Sequence, residues 1–149
     1  MTHPFIMSTQ APWNKILVAV DFSSHSLQAV REARSFQQAA HVEVVLLHVT
    51  PPAFDGLRIH TGDFHKETQN SAREQLAALI PVHFPGSTSV STLVKDGHPV
   101  ETICDVARML AADVIFIGTH GISAVEHYML GSVAEKVVRH APCRVLVVR

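Results

Sequence analysis

The stretch Lys15-Ile-Leu-Val-Ala-Val-Asp21 places five apolar residues in a row between a lysine and an aspartate. A short apolar run bounded in this way is typical of a buried strand. Ser23 and Ser24 follow it, and either hydroxyl can cap the start of a helix. Apolar residues then recur at near-helical spacing, with charged side chains between them, at Leu27, Val30, Ala33, Phe36 and Ala40. This part of the chain therefore predicts a strand that leads directly into an amphipathic helix.

Four further apolar runs extend this pattern to the end of the chain. They predict strands over residues 41–49, 87–95, 113–118 and 144–149. Helical spacing of apolar residues between them predicts three more helices, over residues 72–80, 100–110 and 134–141, with Pro81 and Pro142 marking two of the ends. Regular alternation of strands and helices predicts an α/β fold with a parallel sheet and helices on both faces.

The polarity of the five runs indicates their order in the sheet. The first, second and fourth strands are the most continuously apolar, which places them in the middle, whereas the more polar third strand suits an edge. A single doubly wound, five-stranded parallel sheet in the order 3-2-1-4-5, with right-handed connections, satisfies these preferences. We assign residues 15–149 to this one domain and residues 1–14 to an N-terminal tail.

The composition excludes several classes of protein. The chain has 149 residues, 47% of them hydrophobic and 17% charged, which is typical of one globular domain. Its net charge of −1 gives no general attraction to nucleic acid or to an anionic membrane. No apolar run reaches the ~20 residues that a membrane span needs. Residues 1–14 lack the lysine and arginine of a signal peptide, so we expect a cytoplasmic protein.

A binding site is expected where the strand order reverses, beyond the carboxyl ends of the first and fourth strands. These strands end at residues 19–21 and at Gly118, and Gly118-Thr-His-Gly121 is followed after nine residues by Gly131-Ser132. Glycine lets a phosphate approach backbone N–H groups, and a helix N-terminus offers unpaired N–H donors to an anion. Each residue alone also fits a turn or a cap, but their combination at the reversal point favours a site.

Several segments make residues 14–149 resemble the universal stress protein family. They are Lys15-Ile-Leu-Val-Ala-Val-Asp-Phe-Ser23, Leu46-Leu-His-Val49, the Gly-x2-Gly-x9-Gly-Ser pattern with the following Val133-Ala-Glu-Lys136, and His140-Ala-Pro-Cys-Arg-Val-Leu-Val-Val148. The glycine pattern is similar to that of the nucleotide-binding branch of the family. The resemblance implies a five-stranded parallel sheet that binds ATP or a related adenine nucleotide, which Mg²⁺ could accompany through the phosphates.

The resemblance also implies which residues contact each part of the nucleotide. The expected contacts are Asp21 and Val49 for adenine, Ala19, Val20 and Gly118 for the ribose, and Gly121, Gly131, Ser132 and Val133 for the phosphates. Two neighbours complete the candidate set, because they lie at the end of the fourth strand and in the glycine loop: Ile117 and His120.

The phosphate end departs from the family pattern at three positions. A basic residue is common where Ile122 and His127 stand, and a glycine is common where Ala124 stands. Residues 122–130 contain no lysine or arginine, and they include Glu126. A triphosphate carries about four negative charges. AMP or a cyclic nucleotide therefore stays open beside ATP as the ligand.

Motifs of fast enzymes do not occur in the sequence. Gly-x-Ser-x-Gly, the phosphate-loop motif and G-x-G-x-x-G after the first strand are absent, and Cys104 and Cys143 lack C-x-x-C spacing. The histidines lack the spacing of a helical metal-ligand pair. The family resemblance implies a stress-response sensor or regulator, and the absence of these motifs leads us to expect slow ATP hydrolysis at most. Two alternatives stay open: a metal-dependent ATPase or nucleotide hydrolase using Asp21 and His120, and a protein-interaction module with a vestigial nucleotide site.

The last strand predicts self-association. Residues 145–148 are uncharged and apolar, and an apolar edge strand tends to pair with another chain. A homodimer through residues 144–148 would pair the free backbone groups of this edge strand, and the family resemblance implies the same arrangement.

Residues 51–64 form the longest predicted loop, and long loops in compact domains are often functional.

Overall fold

The computed structural model describes residues 13–52, 61–121 and 130–149. Five strands alternate with four helices: β1 (Lys15–Ala19), α1 (Ser24–Ala40), β2 (Glu43–Thr50), α2 (Thr61–His83), β3 (Val90–Asp96), α3 (Pro99–Met109), β4 (Val114–Gly118), α4 (Ser132–His140) and β5 (Arg144–Val148). The strands form one parallel sheet in the order β3-β2-β1-β4-β5. This confirms the predicted class, topology and strand order. None of the described helices is long and apolar enough to cross a membrane.

The pleat of the central strand divides the core into two layers. Ile16 and Val18 of β1 pack in the cluster formed with α1 and α2. Leu17 and Ala19 pack in the cluster formed with α3 and α4. Successive side chains of a strand point to opposite faces, so β1 contributes to both layers. All four side chains are buried, which explains why an unbroken apolar run is needed here.

The reversal of strand order leaves a crevice at the carboxyl edge of the sheet. Val18 of β1 lies opposite Leu46 of β2 on one side and opposite Phe116 of β4 on the other. The chain leaves β1 through α1 on one face, and it reaches β4 through α3 on the other face. The two connections therefore diverge beyond the ends of β1 and β4, where ligands of such sheets bind.

Helix α2 differs from the prediction at both ends. It begins at Thr61, so the last residues of the predicted loop 51–64 are helical. It continues through Pro81 to His83 instead of ending at the proline. A proline removes only one hydrogen bond from the helix, and the N–H of Phe84 still donates to Ile80 O at 2.7 Å. Residues 53–60 and residues 1–12 of the predicted tail lie outside the described residues.

Helix α1 packs on the sheet largely with the predicted face, since Val30 and Ala33 lie in the core and Phe36 and Ala40 pack against it. Leu27 and Phe36 are only half-buried, whereas the polar Gln37 is buried. Gln37 Nε2 donates to Ser87 Oγ at 2.9 Å and to Ser89 Oγ at 3.2 Å. A buried amide is tolerated where it is hydrogen-bonded. The turn before β3 therefore helps to set the rotation of α1, which helical spacing alone does not reveal.

The edge strands and the last helix follow the prediction with small shifts. Strand β3 lies at one edge, as predicted, and begins at Val90 rather than at residue 87. Strand β5 lies at the other edge and pairs with β4. Helix α4 buries Ala134 and Val137, but Val138, one of the apolar residues whose spacing predicted this helix, is 48% exposed. This nine-residue helix lies at the edge of the sheet, so the sheet covers fewer of its side chains than the apolar spacing predicted.

Asp113 joins the start of β1 to the start of β4. Its Oδ2 accepts hydrogen bonds from the backbone N–H groups of Asn14 at 2.8 Å and Lys15 at 2.9 Å. These bonds to the ionised carboxylate hold the pKa of Asp113 below its ordinary value of 3.8. Because the pKa is lower in the folded state, the carboxylate stabilises the fold above pH 3.8. This contribution is lost as the pH falls through the folded-state pKa.

We expect Asp113→Asn to lower the free energy of unfolding at pH 7 by less than about 1 kcal/mol, because the carboxylate is solvent-accessible and the amide oxygen still accepts a bond. Urea unfolding of both proteins at a series of pH values measures the difference. The difference should shrink below pH 3.8, because the carboxylate is protonated first in the unfolded chain and, at lower pH, in the folded protein. A difference that stays constant down to the lowest pH would show that charge is not the cause.

Candidate functional site

A cavity of about 330 Å³ opens at the carboxyl edge of the sheet, beyond the ends of β1 and β4. Its wall contains all eleven residues of the predicted set, namely Ala19, Val20, Asp21, Val49, Ile117, Gly118, His120, Gly121, Gly131, Ser132 and Val133. The fold therefore brings four separate stretches of the chain together at the place where the strand order reverses.

Six further residues complete the wall, and sequence patterns did not point to them. They are Ser26, Leu47, Pro99, Ile103, Thr119 and Ala134. Leu47 and Ile103 are almost completely buried and belong to the core between the sheet and α3 and α4. One end of the cavity is therefore an extension of the apolar core. Leu47 could have been predicted, because it lies two residues before Val49 and therefore on the same face of β2.

The turn between β1 and α1 is held by short polar side chains. Asp21 Oδ1 accepts from the N–H of Ser23 at 3.0 Å, and the N–H of Asp21 donates to Ser26 Oγ at 3.3 Å. Ser23 caps α1, because its Oγ accepts from the N–H of Ser26 at 3.2 Å. Phe22 has a φ of 64°, which is uncommon for an aromatic residue and is fixed by these bonds. Asp21 thus supports α1 with one oxygen, while Oδ2 lies beside Gly121.

Two glycines of the pattern are explained by close packing. A Cβ at Gly118 would lie 2.7 Å from the carbonyl carbon of His25 and 2.9 Å from the backbone nitrogen of Ser26. Gly118 is therefore required by packing as well, because the backbone of α1 fills the space that a side chain would need. A Cβ at Gly121 would lie 2.8 Å from Asp21 Oδ2, the end of a side chain. Gly118 thus positions α1, and Gly121 keeps space open beside Asp21.

Helix α4 begins at the cavity wall with a glycine as its N-cap. No described side chain caps this end, and the N–H of Gly131 itself donates to Thr119 O at 2.7 Å. The first N–H groups of a helix have no partner within the helix, so those of Ser132 and Val133 are available to a ligand. The helix dipole adds about half a positive charge at this end. The arrangement suits an anion such as a phosphate group.

His120 joins the glycine loop to the start of α1. Its Nδ1 lies 3.1 Å from Thr119 Oγ1, and the centroid of its ring lies 5.2 Å from that of His25. Its backbone oxygen accepts from Ser23 Oγ at 3.5 Å. Its Nε2 is buried and has no hydrogen-bond partner within residues 13–52, 61–121 and 130–149. One ring nitrogen therefore retains the capacity for a further partner.

The remaining candidate groups lie outside the cavity wall. Cys104 and Cys143 are free, and burial raises the pKa of both thiols, which disfavours the reactive thiolate. His48 Nδ1 bonds to the backbone oxygen of Val20 at 2.7 Å. In the described part of the chain, no three histidine, cysteine, aspartate or glutamate side chains are grouped to hold a metal ion. Four positions noted above lie outside that part: Ile122, Ala124, Glu126 and His127.

Comparison with known proteins identifies the family to which the chain is similar. A protein-family model described as the universal stress protein family matches residues 12–149. The chain belongs to the universal stress protein family. A Staphylococcus epidermidis protein named as a universal stress protein is 32% identical over 140 residues, which cover 92% of this chain and 84% of that protein. The match with the family therefore spans the whole α/β domain.

Solved structures share the fold of this universal stress protein. The hypothetical protein MJ0577 superposes with a TM-score of 0.83 at 26% identity, covering 93% of this chain and 96% of that chain. A universal stress protein in complex with cAMP gives a TM-score of 0.62 at 24% identity, with coverages of 93% and 98%. The Archaeoglobus fulgidus universal stress protein in complex with dAMP gives 0.61 at 24% identity, with coverages of 91% and 97%. At 24% identity, these last two similarities establish the fold alone.

Proposed function

We propose that this universal stress protein binds an adenine nucleotide, ATP or AMP, in the cavity and acts as a stress-response sensor or regulator. The observation that carries the proposal is a cavity wall that runs from an apolar end to the N-terminus of α4. A nucleotide has the matching polarity, with a flat base at one end and an anion at the other.

Each part of the nucleotide finds a suitable surface in the proposed complex. The base packs against the apolar side chains of Val49 and Ile103. The ribose lies beside Ala19 and Gly118, where the side chains are smallest. The phosphate accepts hydrogen bonds from the first N–H groups of α4. Asp21 is a carboxylate in the same wall, and with the phosphates it would supply the oxygen ligands that Mg²⁺ prefers.

Two further observations support nucleotide binding. The Gly-x2-Gly-x9-Gly-Ser pattern is similar to that of the nucleotide-binding branch of the family, and all four of its residues line the cavity. Two proteins of the same fold were solved with cAMP and with dAMP, both adenine nucleotides. The proposal for this chain rests on its own cavity, and the family membership adds to it.

We further propose that any hydrolysis of the bound nucleotide is slow. Phosphoryl transfer is accelerated by cations placed against the developing charge, typically lysine, arginine or a metal. No lysine or arginine lines the cavity within the described residues. A binding and signalling role in the cytoplasm therefore suits the site better than rapid turnover, and the two free cysteines are compatible with a reducing compartment.

Thermal unfolding of nucleotide-stripped protein over a concentration series of AMP tests the proposal. A ligand that binds only the folded state stabilises it by RT ln(1 + [L]/Kd), about 2.7 kcal/mol at a hundredfold excess over Kd. We expect the unfolding midpoint to rise with AMP and to rise much less with ribose 5-phosphate, which lacks the base. A midpoint that AMP and ATP both leave unchanged would refute nucleotide binding.

We also propose that the protein forms a homodimer through β5. This strand lies at the edge of the sheet, where its outer backbone groups face no strand among those described. Its central residues, Val145, Leu146 and Val147, are apolar and half-buried in the single chain. Pairing with a second β5 would satisfy the backbone groups and cover these side chains.

Charging the edge strand is expected to separate the dimer. Val147→Lys would place one charge from each subunit in the proposed apolar interface, and burying like charges there disfavours association. Sizing chromatography with light scattering should show a dimer for the wild type and a monomer for the variant. Val138→Lys adds the same charge on the exposed side of α4 and serves as the control. A Val147→Lys protein that remains dimeric would place the interface elsewhere.

A further inference from the structure

We infer that a second cavity, between α2 and the turn that follows β1, binds a small organic cation that carries N–H donors. The second cavity has a volume of about 380 Å³, which suits a small molecule. It shares no described wall residue with the nucleotide cavity. A ligand here would need no bound nucleotide, so the second cavity would add a binding function to the proposed one.

The second cavity lies on the opposite face of the sheet from α3 and α4. Its wall is formed by Phe22, by His48 of β2 and by one side of α2. The side chain of His48 points away from those of Leu47 and Val49, which line the nucleotide cavity. Asp21 lies in the wall of the nucleotide cavity and Phe22 in that of the second. The turn after β1 therefore separates the two cavities.

The imidazole of His48 offers an acceptor to a ligand. Its Nδ1 lies 2.7 Å from the backbone oxygen of Val20. A carbonyl oxygen can only accept, so Nδ1 must carry the proton of this bond. In the neutral imidazole the other ring nitrogen is then an acceptor. Because His48 lines the second cavity, Nε2 is the polar atom of its ring that remains for a ligand.

Polar side chains of α2 add further acceptors to the same wall. Thr68 Oγ1 donates its proton to the backbone oxygen one turn earlier at 2.9 Å, which leaves the lone pairs of the hydroxyl. Gln75 Nε2 donates to Ser71 Oγ at 3.1 Å, which leaves Oε1 of the amide. The ionised carboxylate of Glu67 can only accept. The wall therefore combines several acceptors with the negative charge of Glu67.

Two aromatic rings complete the wall. The ring centroids of Phe22 and His48 lie 4.7 Å apart, and the ring planes are tilted by 38°. The face of a phenyl ring attracts a cation electrostatically. Phe22 has a φ of 64°, and the bond from the Ser23 N–H to Asp21 Oδ1 spans it. The backbone that carries this ring is therefore held in place before a ligand binds.

The ligand that matches this wall is a hydrogen-bond donor with a positive charge. The acceptors require N–H groups, the carboxylate favours a cation, and the phenyl ring favours the same charge. An alkylammonium ion has all these properties. An anion would be repelled by Glu67 and would leave the acceptors of the wall unpaired.

An NMR titration of ¹⁵N-labelled protein with butylammonium, tetramethylammonium and n-butanol tests this assignment. The three probes have the same number of non-hydrogen atoms. Tetramethylammonium is a cation without N–H donors, and n-butanol is uncharged. With butylammonium we expect saturable shifts at the amides of Thr68, Ser71 and Gln75, with a Kd below about 10 mM. The other two probes should bind at least about fivefold more weakly.

Variants of the wall identify the groups that hold the cation. Glu67→Gln should weaken binding of butylammonium at least about tenfold, because it removes the charge and keeps the shape. Glu74→Gln removes another exposed carboxylate of α2, outside the wall, and should leave the affinity unchanged. Phe22→Leu should weaken binding about threefold. Long-range ¹H–¹⁵N spectra should place the proton on His48 Nδ1 and show a ligand-dependent shift of Nε2.

A guanidinium of the chain itself, that of Arg58, would be the competing occupant, since residues 53–60 precede α2 and lie outside the described residues. The wild type and Arg58→Ala are therefore titrated in parallel. Saturable binding to the wild type that Glu67→Gln weakens would establish the site. Binding by Arg58→Ala alone would overturn it in favour of the chain's own side chain. Equal affinities for butylammonium and tetramethylammonium, or no saturable shifts at the wall in either protein, would also overturn it.

Discussion

An alanine at position 118 is expected to lower the free energy of unfolding by about 3 kcal/mol. The added methyl group would lie 2.7 Å from the carbonyl carbon of His25 and 2.9 Å from the backbone nitrogen of Ser26. Both atoms belong to the backbone of α1, which cannot rotate away as a side chain can. Helix α1 would have to move off β4, and the contacts of the buried Val30 and Ala33 with the sheet would loosen.

Gly121→Ala is the matched control for this substitution. Its methyl group would meet Asp21 Oδ2 at 2.8 Å, the end of a side chain that can shift by small rotations. We expect a loss of less than about 1 kcal/mol. Urea unfolding of both variants beside the wild type measures the two values. Equal losses for Gly118→Ala and Gly121→Ala would contradict the close approach of α1 to the end of β4.

The second large effect concerns ligand binding. Gly121→Val is expected to abolish the stabilisation by AMP, which in the wild type should reach about 2.7 kcal/mol at a hundredfold excess over Kd. Gly121 lies in the cavity wall beside the Asp21 carboxylate. The two γ-methyl groups of valine would occupy the space in which the phosphate must lie. Thermal unfolding with and without AMP gives the stabilisation directly.

Two controls show whether the loss comes from the filled space. Gly121→Ala, with a smaller side chain, should keep part of the stabilisation by AMP. Thr88→Val introduces the same side chain at an exposed position outside the wall and should keep all of it. Circular dichroism establishes that each variant is folded. A folded Gly121→Val protein that AMP stabilises like the wild type would show that the ligand binds elsewhere.

Most of the fold could be predicted because its signals are local. Continuous apolar runs such as residues 16–20 identified the buried strands, and the polarity of β3 identified an edge. The burial of Gln37 on α1 could not be predicted, since it depends on its bonds to two serines about fifty residues away in sequence. Pro81 misled the prediction of α2, because one missing hydrogen bond near a helix end does not terminate the helix.

The candidate site could be predicted in outline for a topological reason. The reversal of strand order fixes the edge at which the cavity opens, and the glycine pattern marks the loop and the helix that face it. The part contributed by Pro99 and Ile103 could not be predicted. The sequence indicates only a helix start at Pro99 and a core position at Ile103, and only the packing of α3 on the sheet leaves space beside them. The reason for Gly118 likewise required the position of α1.

An NMR titration of ¹⁵N-labelled, nucleotide-stripped protein with AMP would locate the ligand at single backbone amides. If the cavity is the nucleotide site, saturable shifts will be largest at Gly131, Ser132 and Val133 and in the loop 118–121. The amide of Lys15, at the opposite edge of the sheet, will hardly change. Spectra that AMP leaves unchanged at saturating concentration, or shifts confined to residues far from the cavity wall, would contradict an adenine-nucleotide site in this protein.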